Sequence, residues 1–177
     1  MKKRESPSRI FRILNRSADM LSIMERFAGQ DIPVLPIHGV VDGRCTCGED
    51  CGSPGKHPIS SLVPHGVKDA TTELKTIRRW PRKHPDMNYA VATDGLTVID
   101  CDSREAWRAF RAEFDPPSTL VVRTARGFHC YLRGEMSPRI GIRTNLDIKS
   151  KANSYVVGPG SRHRSEERRV GKECLRV

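Results

Sequence analysis

The sequence predicts an α+β or mixed α/β fold, and three observations lead to it. Apolar runs of strand length, such as Tyr89-Ala90-Val91-Ala92 and Leu96 to Asp100, are interspersed with stretches whose apolar residues recur at helical spacing. Gly, Pro, Asn and Asp punctuate these segments at short intervals, as turns between compact elements require. The 177 residues suffice for one domain with a real core and are too few for two large ones. No internal repeat is visible.

Taken in order, residues 1–16 are basic and aperiodic and are expected to form a flexible arm. Ser17 is placed to cap a helix whose Met20, Leu21, Met24, Phe27 and Ala28 form one apolar face. Ile32-Pro33-Val34-Leu35-Pro36-Ile37 follows as a short strand, and a Gly-, Pro- and Cys-rich loop runs to about Gly66. Thr72 opens a second helix with Leu74, Ile77 and Trp80 on one side, which Pro81 is expected to stop. Tyr89–Ala92 and Leu96–Asp100 read as strands joined by a turn at Asp94-Gly95. Ser103 is the expected N-cap of a helix with Trp107, Phe110 and Phe114 on its apolar face, ended by Pro116-Pro117. Strands are expected at Leu120–Val122, His129–Leu132 and Tyr155–Val157. In Asn145 to Lys149, Leu146 and Ile148 face the core, with Asp147 and Lys149 on the other side.

The formal net charge of +10 suits a polyanionic partner, because a basic surface attracts phosphate and releases its counterions. No apolar run is long enough to cross a membrane, and Lys2-Lys3-Arg4 is not followed by the apolar core of a signal peptide. A cytoplasmic location without membrane contact is therefore expected.

The chemistry concentrates in three places. At the end of Leu96-Thr97-Val98-Ile99-Asp100-Cys101-Asp102, strand alternation puts Asp100 and Asp102 on one face and Cys101 on the other. Two carboxylates there suit Mg²⁺ or Mn²⁺, which favour oxygen ligands and are commonly completed by substrate phosphates. A solvated Asp-containing turn is the alternative. In Thr124-Ala125-Arg126-Gly127-Phe128-His129-Cys130-Tyr131, Gly127 permits a tight turn and close approach to a ligand, and His129 is placed to donate to a phosphate oxygen, a polar strand residue at a sheet end being the other reading. Asp147 is placed to add a third carboxylate and Lys149 a cation for a triphosphate, an exposed strand face being the other reading.

Cys45-Thr46-Cys47-Gly48-Glu49-Asp50-Cys51, with His57 six residues on, offers three sulfurs and an imidazole for a closed zinc site. Glycines and Pro54 give the loop its freedom to fold round an ion. Its role would be structural, with His65 as a substitute for His57 and Lys56 as a further phosphate contact. Cys101 and Cys130 read as buried thiols.

The ordered set of these segments resembles the bifunctional DNA primase/polymerase N-terminal (prim-pol) domain of the archaeo-eukaryotic primase superfamily. The resemblance spans Ala18 to His163. It runs through Ile32-Pro33-Val34-Leu35-Pro36, Gly55-Lys56-His57-Pro58, Asp69-Ala70-Thr71-Thr72, Ile77-Arg78-Arg79-Trp80 and Asn88-Tyr89-Ala90-Val91-Ala92-Thr93. It continues through Val98 to Asp102, Arg126 to Tyr131, Leu146 to Lys149 and Ser154 to Ser161. The resemblance implies an RRM-like mixed sheet flanked by helices, here with a Cys-rich zinc-loop insertion. Asp100, Asp102 and Asp147 would then be catalytic ligands of Mg²⁺ or Mn²⁺, and His129 and Lys149, with Arg126 and Gly127, would bind the incoming dNTP or NTP. Single-stranded DNA would be the template, primer synthesis and extension in phage or plasmid replication the task, and a helicase domain or protein a partner. The family often has a second Gly where Phe128 stands.

Residues 17–163 thus read as the catalytic domain. Residues 164–177, containing Arg164-Ser165-Glu166-Glu167-Arg168-Arg169-Val170-Gly171-Lys172-Glu173-Cys174, resemble the translation of a sequencing adapter, so the domain is expected to be truncated at its C-terminal end. Two rivals stand beside the polymerase: a nucleotide-sugar transferase using its D-x-D for metal and diphosphate, and a non-catalytic zinc-dependent DNA-binding module.

Overall fold

The computed structural model describes residues 16–162. The basic arm, apart from Arg16, and the tail from residue 164 lie outside the described residues. Helix α1 (Arg16–Ala28) buries Met20, Met24, Phe27 and Ala28, the face set by their spacing. Ser17, expected as its cap, lies inside the first turn.

Strands β1 (Val34–Ile37), β4 (Asn88–Ala92) and β10 (Tyr155–Val157) form one antiparallel sheet in the order β1-β4-β10. A second antiparallel sheet has the order β6-β7-β5-β9-β8. Its strands are β5 (Leu96–Cys101), β6 (Val121–Arg123), β7 (Phe128–Arg133), β8 (Arg139–Arg143) and β9 (Leu146–Ser150). A ribbon of β2 (Val40–Val41) and β3 (Arg44–Cys45) stands apart.

The α+β architecture is as predicted, and several local expectations are corrected. The turn at Asp94-Gly95 does not close a hairpin: it carries the chain from the first sheet, which holds β4, to the second, which holds β5. Pro81 does not stop the second helix. Leu74–Ile77 (α2) is followed by Trp80–Lys83 (α3), with Pro81 in the first turn of α3, where its missing N–H costs nothing. Of the expected apolar face Ile77 and Trp80 are buried, but Leu74 is exposed. The loop to Gly66 contains the β2–β3 ribbon, turned by Asp42-Gly43 with both residues at positive φ, 48° and 76°. Strand β8 was not foreseen.

Helix α4 (Arg104–Phe114) starts as expected, with the Ser103 hydroxyl accepting from the Ala106 amide at 3.1 Å. It ends at Asp115 in the left-handed region, before Pro116-Pro117. Trp107 and Phe110 are buried, whereas Phe114 is exposed, its ring tilted 32° to that of Phe110 at 5.4 Å.

Alternation along β5 divides the core. Leu96 and Val98 join α1, Ile77, Trp80, Tyr89 and Val91 in the interior between the two sheets. Ile99 and Cys101 point the opposite way, into a smaller core with Trp107, Phe110, Cys130 and Leu146 beneath α4. Cys101 and Cys130 are buried there, and burial pushes their thiols up to about 12 and about 11.

Candidate active site and metal centre

The central position of β5 assembles the candidate active site. Asp100 is in register with His129 of β7 on one side and with Asp147 of β9 on the other. Directly opposed residues share a face, so the three side chains form a row across three strands, on the face away from α4. One pair further along, Val98 faces Tyr131 and Lys149. Asp102 lies just past β5, where its amide donates to the Asn145 carbonyl at 2.8 Å, between the strand and the α4 cap.

Each carboxylate is held by a base. His129 Nε2 is 3.2 Å from an Asp100 oxygen, Lys149 Nζ is 2.7 Å from Asp147, and Arg126 is 3.3 Å from Asp102. His129 is buried, and its Nδ1 meets no hydrogen-bond partner among the described residues. The Arg126–Asp102 pair is exposed, so it contributes little to stability. Burial pushes the Asp147 carboxyl up and the Asp100 charge adds to this. The hydrogen bonds from Lys149 and the Gly141 amide, with the Lys149 charge, outweigh both and hold it below the ordinary carboxylate range.

Gly127 makes a close approach, but to the protein itself. A Cβ at this position would lie 1.8 Å from the Cys101 carbonyl oxygen, so only glycine lets the 124–127 turn sit on the end of β5. The turn is closed by paired bonds between Thr124 and Gly127: amide to carbonyl at 2.9 Å, and amide to hydroxyl at 2.9 Å. This docking places Arg126 beside Asp102. The Phe128 ring turns to the opposite face and stacks on Trp107 at 5.2 Å.

The second constellation converges more tightly. One ligand atom from each of Cys45, Cys47, Cys51 and His57 lies within 4.8 Å of all the others. A tetrahedral Zn²⁺ with bonds of about 2.3 Å to sulfur sets its sulfurs about 3.8 Å apart, so the four residues fit this ion. Cys45 Sγ already contacts His57 Nε2 at 3.3 Å. Burial raises the Cys45 thiol, but hydrogen bonds from the Cys47 and Gly55 backbone, then from the Cys47 and His57 side chains, bring it down to about 6. Burial and the neighbouring Cys45 and Cys47 drive Cys51 up to about 11. One thiolate makes the next harder to form, a conflict that a bound cation relieves. Among the described residues this is the group of potential ligands that converges; the three carboxylates are turned to their basic partners instead. His65, the alternative to His57, is not near the group and pairs with Asp69 at 3.1 Å.

Asn88 was missed. Buried at the start of β4, it donates to the Gly55 and Arg162 carbonyls at 3.1 and 2.8 Å and accepts from the Arg162 amide at 2.8 Å. It therefore ties the Cys/His loop to the chain after β10. The Tyr155 hydroxyl adds a bond to the Lys56 carbonyl at 3.1 Å. A polar residue heading an apolar strand was the available signal. The Gly141 amide on Asp147 was also missed, because it belongs to β8.

No helix among the described residues is long and apolar enough to cross a membrane. No curated protein matches the chain at a significant level. The sequence profile of the family described as bifunctional DNA primase/polymerase, N-terminal, matches residues 24–175, a span that reaches past 163 into the segment read as adapter-like. The match covers well over half of the chain and contains both constellations, so the chain belongs to the bifunctional DNA primase/polymerase N-terminal family.

Proposed function

We propose that this chain is a metal-dependent nucleotidyltransferase that synthesises primers and extends them on a single-stranded DNA template, using dNTP or NTP. Family membership supports a replication role of the primase/polymerase type. The observation that carries the finer reading is the row His129–Asp100–Asp147 with Lys149 and Arg126 at its border. Asp100, Asp102 and Asp147 offer hard oxygen donors of the kind that Mg²⁺ or Mn²⁺ takes. When bound, such ions supply the charge that activates a 3′-hydroxyl and stabilises leaving pyrophosphate.

The rest of the work falls to side chains of this chain. Asp147 is held as a carboxylate by Lys149 and the Gly141 amide, each on one of its oxygens, and a metal ion would take an oxygen over from these partners. Lys149 and Arg126 bring cations to the edge of the row, where a triphosphate would be held in line with the attacking hydroxyl. His129, held by Nε2 on Asp100 and 6.3 Å from the Tyr131 ring, is the residue of the row that would contact the incoming nucleotide by exchanging Asp100 for a phosphate oxygen. The Cys/His loop, with Zn²⁺, is a structural element tied to β4 and to the chain after β10, and a helicase partner fits a replication role.

The test is incorporation of labelled nucleotides on single-stranded DNA with Mg²⁺ or Mn²⁺. Asp100→Ala and Asp100→Asn should each lower synthesis by at least about a hundredfold. Because Asn keeps a hydrogen-bonding oxygen towards His129, its fold should be less disturbed. Activity equal to that of the parent chain in Asp100→Asn would overturn the carboxylate assignment. The neutralised carboxylates favour one second reading, a zinc-dependent DNA-binding module. In that case DNA binding persists with no incorporation by the parent chain.

A further inference from the structure

The helical segment before β4 carries a charge pattern that the candidate site does not use. Residues 74–83 contain Lys75, Arg78, Arg79, Arg82 and Lys83 and no acidic residue, with Glu73 and Asp86 as the nearest acids in sequence. All five cations are exposed, while Ile77 and Trp80 anchor the segment in the core. Arg78 is spent on Glu25 at 2.6 Å. Lys75, Arg79, Arg82 and Lys83 pair with no acidic side chain among the described residues.

The backbone stays right-handed helical through Arg78 (φ −65°, ψ −20°) and Arg79 (φ −81°, ψ −27°), so the helical phase carries from α2 into α3. At about 100° per residue the four unpaired cations fall within an arc of about 100° and span about 12 Å. That is three to four steps of about 3.4 Å along one strand of a duplex. Residues 74–83 expose no aromatic platform, because the segment's one aromatic residue, Trp80, is buried. Unpaired strands are typically gripped by base stacking, whereas a duplex presents mainly its phosphates.

The segment also adjoins the Cys/His loop. A Cβ on Gly39 would lie 1.7 Å from the Asp86 carbonyl oxygen, so the chain leaving α3 rests directly on the residue beside His38. The His38 ring packs on that of His57 at 4.6 Å.

We propose that the face of α2 and α3 formed by Lys75, Arg79, Arg82 and Lys83 is a docking surface for the phosphate backbone of duplex DNA. On the nucleotidyl-transfer reading, on which this rests, that duplex is the primer–template product held beside the metal loop.

The experiment measures fluorescence anisotropy of a labelled duplex oligonucleotide, and of a single strand of equal length, with the full chain. It compares the parent with Arg79→Glu/Arg82→Glu and with Arg108→Glu/Arg111→Glu. The second pair makes the same charge change on α4, behind the sheet. The α2–α3 pair should weaken duplex binding at least tenfold and reduce the slope of log K against log salt by about two, while affecting the single strand less. The α4 pair should stay within threefold of the parent. Equal weakening by both pairs, equal loss on single strand and duplex, or no duplex binding by the parent would each overturn the surface. A parent that binds duplex through this face yet incorporates no nucleotide would overturn the polymerase reading and leave the surface standing.

Discussion

Tyr89 shows how one side chain can be fixed by packing at the expense of a polar group. It is fully buried in β4, with its ring against the Gly158 backbone, where a Cβ would lie 2.3 Å from ring carbons. Its hydroxyl has no hydrogen-bond partner among the described residues, and burial, with the nearby Tyr131, pushes its pKa well above the ordinary phenol value. A buried hydroxyl that exchanges water for nothing is destabilising, so Tyr89→Phe should be neutral to about 1 kcal/mol more stable. Urea denaturation checks this, and a loss of stability would mean that the hydroxyl has a partner in solution. The sequence shows Tyr89 as an apolar strand residue and conveys nothing of the missing partner. The face shared by Asp100 and Asp102, by contrast, follows from alternation alone, and so does the orientation of Asp147 and Lys149 away from Leu146 and Ile148.

At the level of elements, the legible parts were those specified by local physics: the face of α1, the Ser103 cap and the apolar runs of β4, β5 and β7. Elements whose partners are distant in sequence were not legible. Asp94-Gly95 has good hairpin chemistry, yet β4 pairs with β1 and β10, because tertiary pairing decides where a turn leads. Strand β8 reads Arg-Ile-Gly-Ile-Arg, all exposed, so no burial pattern marked it, although its period-two alternation was a signal. Asp42-Gly43 between short apolar and basic runs likewise signalled the β2–β3 ribbon. The ribbon and its following loop depend on something other than the core, since within residues 42–56 Gly55 alone is buried. The Asn88 bond to Gly55 anchors one end of the loop, and zinc ligation by Cys45, Cys47, Cys51 and His57 would supply further order. A strong chelator should therefore release about one Zn²⁺ per chain. It should make the 42–56 segment the first site of proteolysis, while far-UV circular dichroism stays nearly unchanged. A parent chain purified and reconstituted with Zn²⁺ that retains none would remove the metal from this account.

The whole molecule is held together by β5, which serves two interiors at once. Val98 faces the core between the sheets, and Ile99 faces the core beneath α4. The two tryptophans report on these compartments separately, Trp80 in the first and Trp107 in the second. If the shared strand couples them, a cavity in one must loosen both. Met24 of α1 is fully buried in the first compartment, away from α4. Truncation of a fully buried methionine costs about 2–5 kcal/mol through lost transfer energy and an incompletely collapsed cavity. Met24→Ala, introduced into Trp80→Phe and Trp107→Phe backgrounds, should therefore shift the urea midpoints of the two remaining fluorescence signals together. Coincident transitions are the mark of one cooperative unit. A Trp107 transition that stays in place while the Trp80 transition moves would show that the sheets unfold independently. The row of Asp100, His129 and Asp147, built on the strand between the two cores, would then not depend on α1 for its geometry.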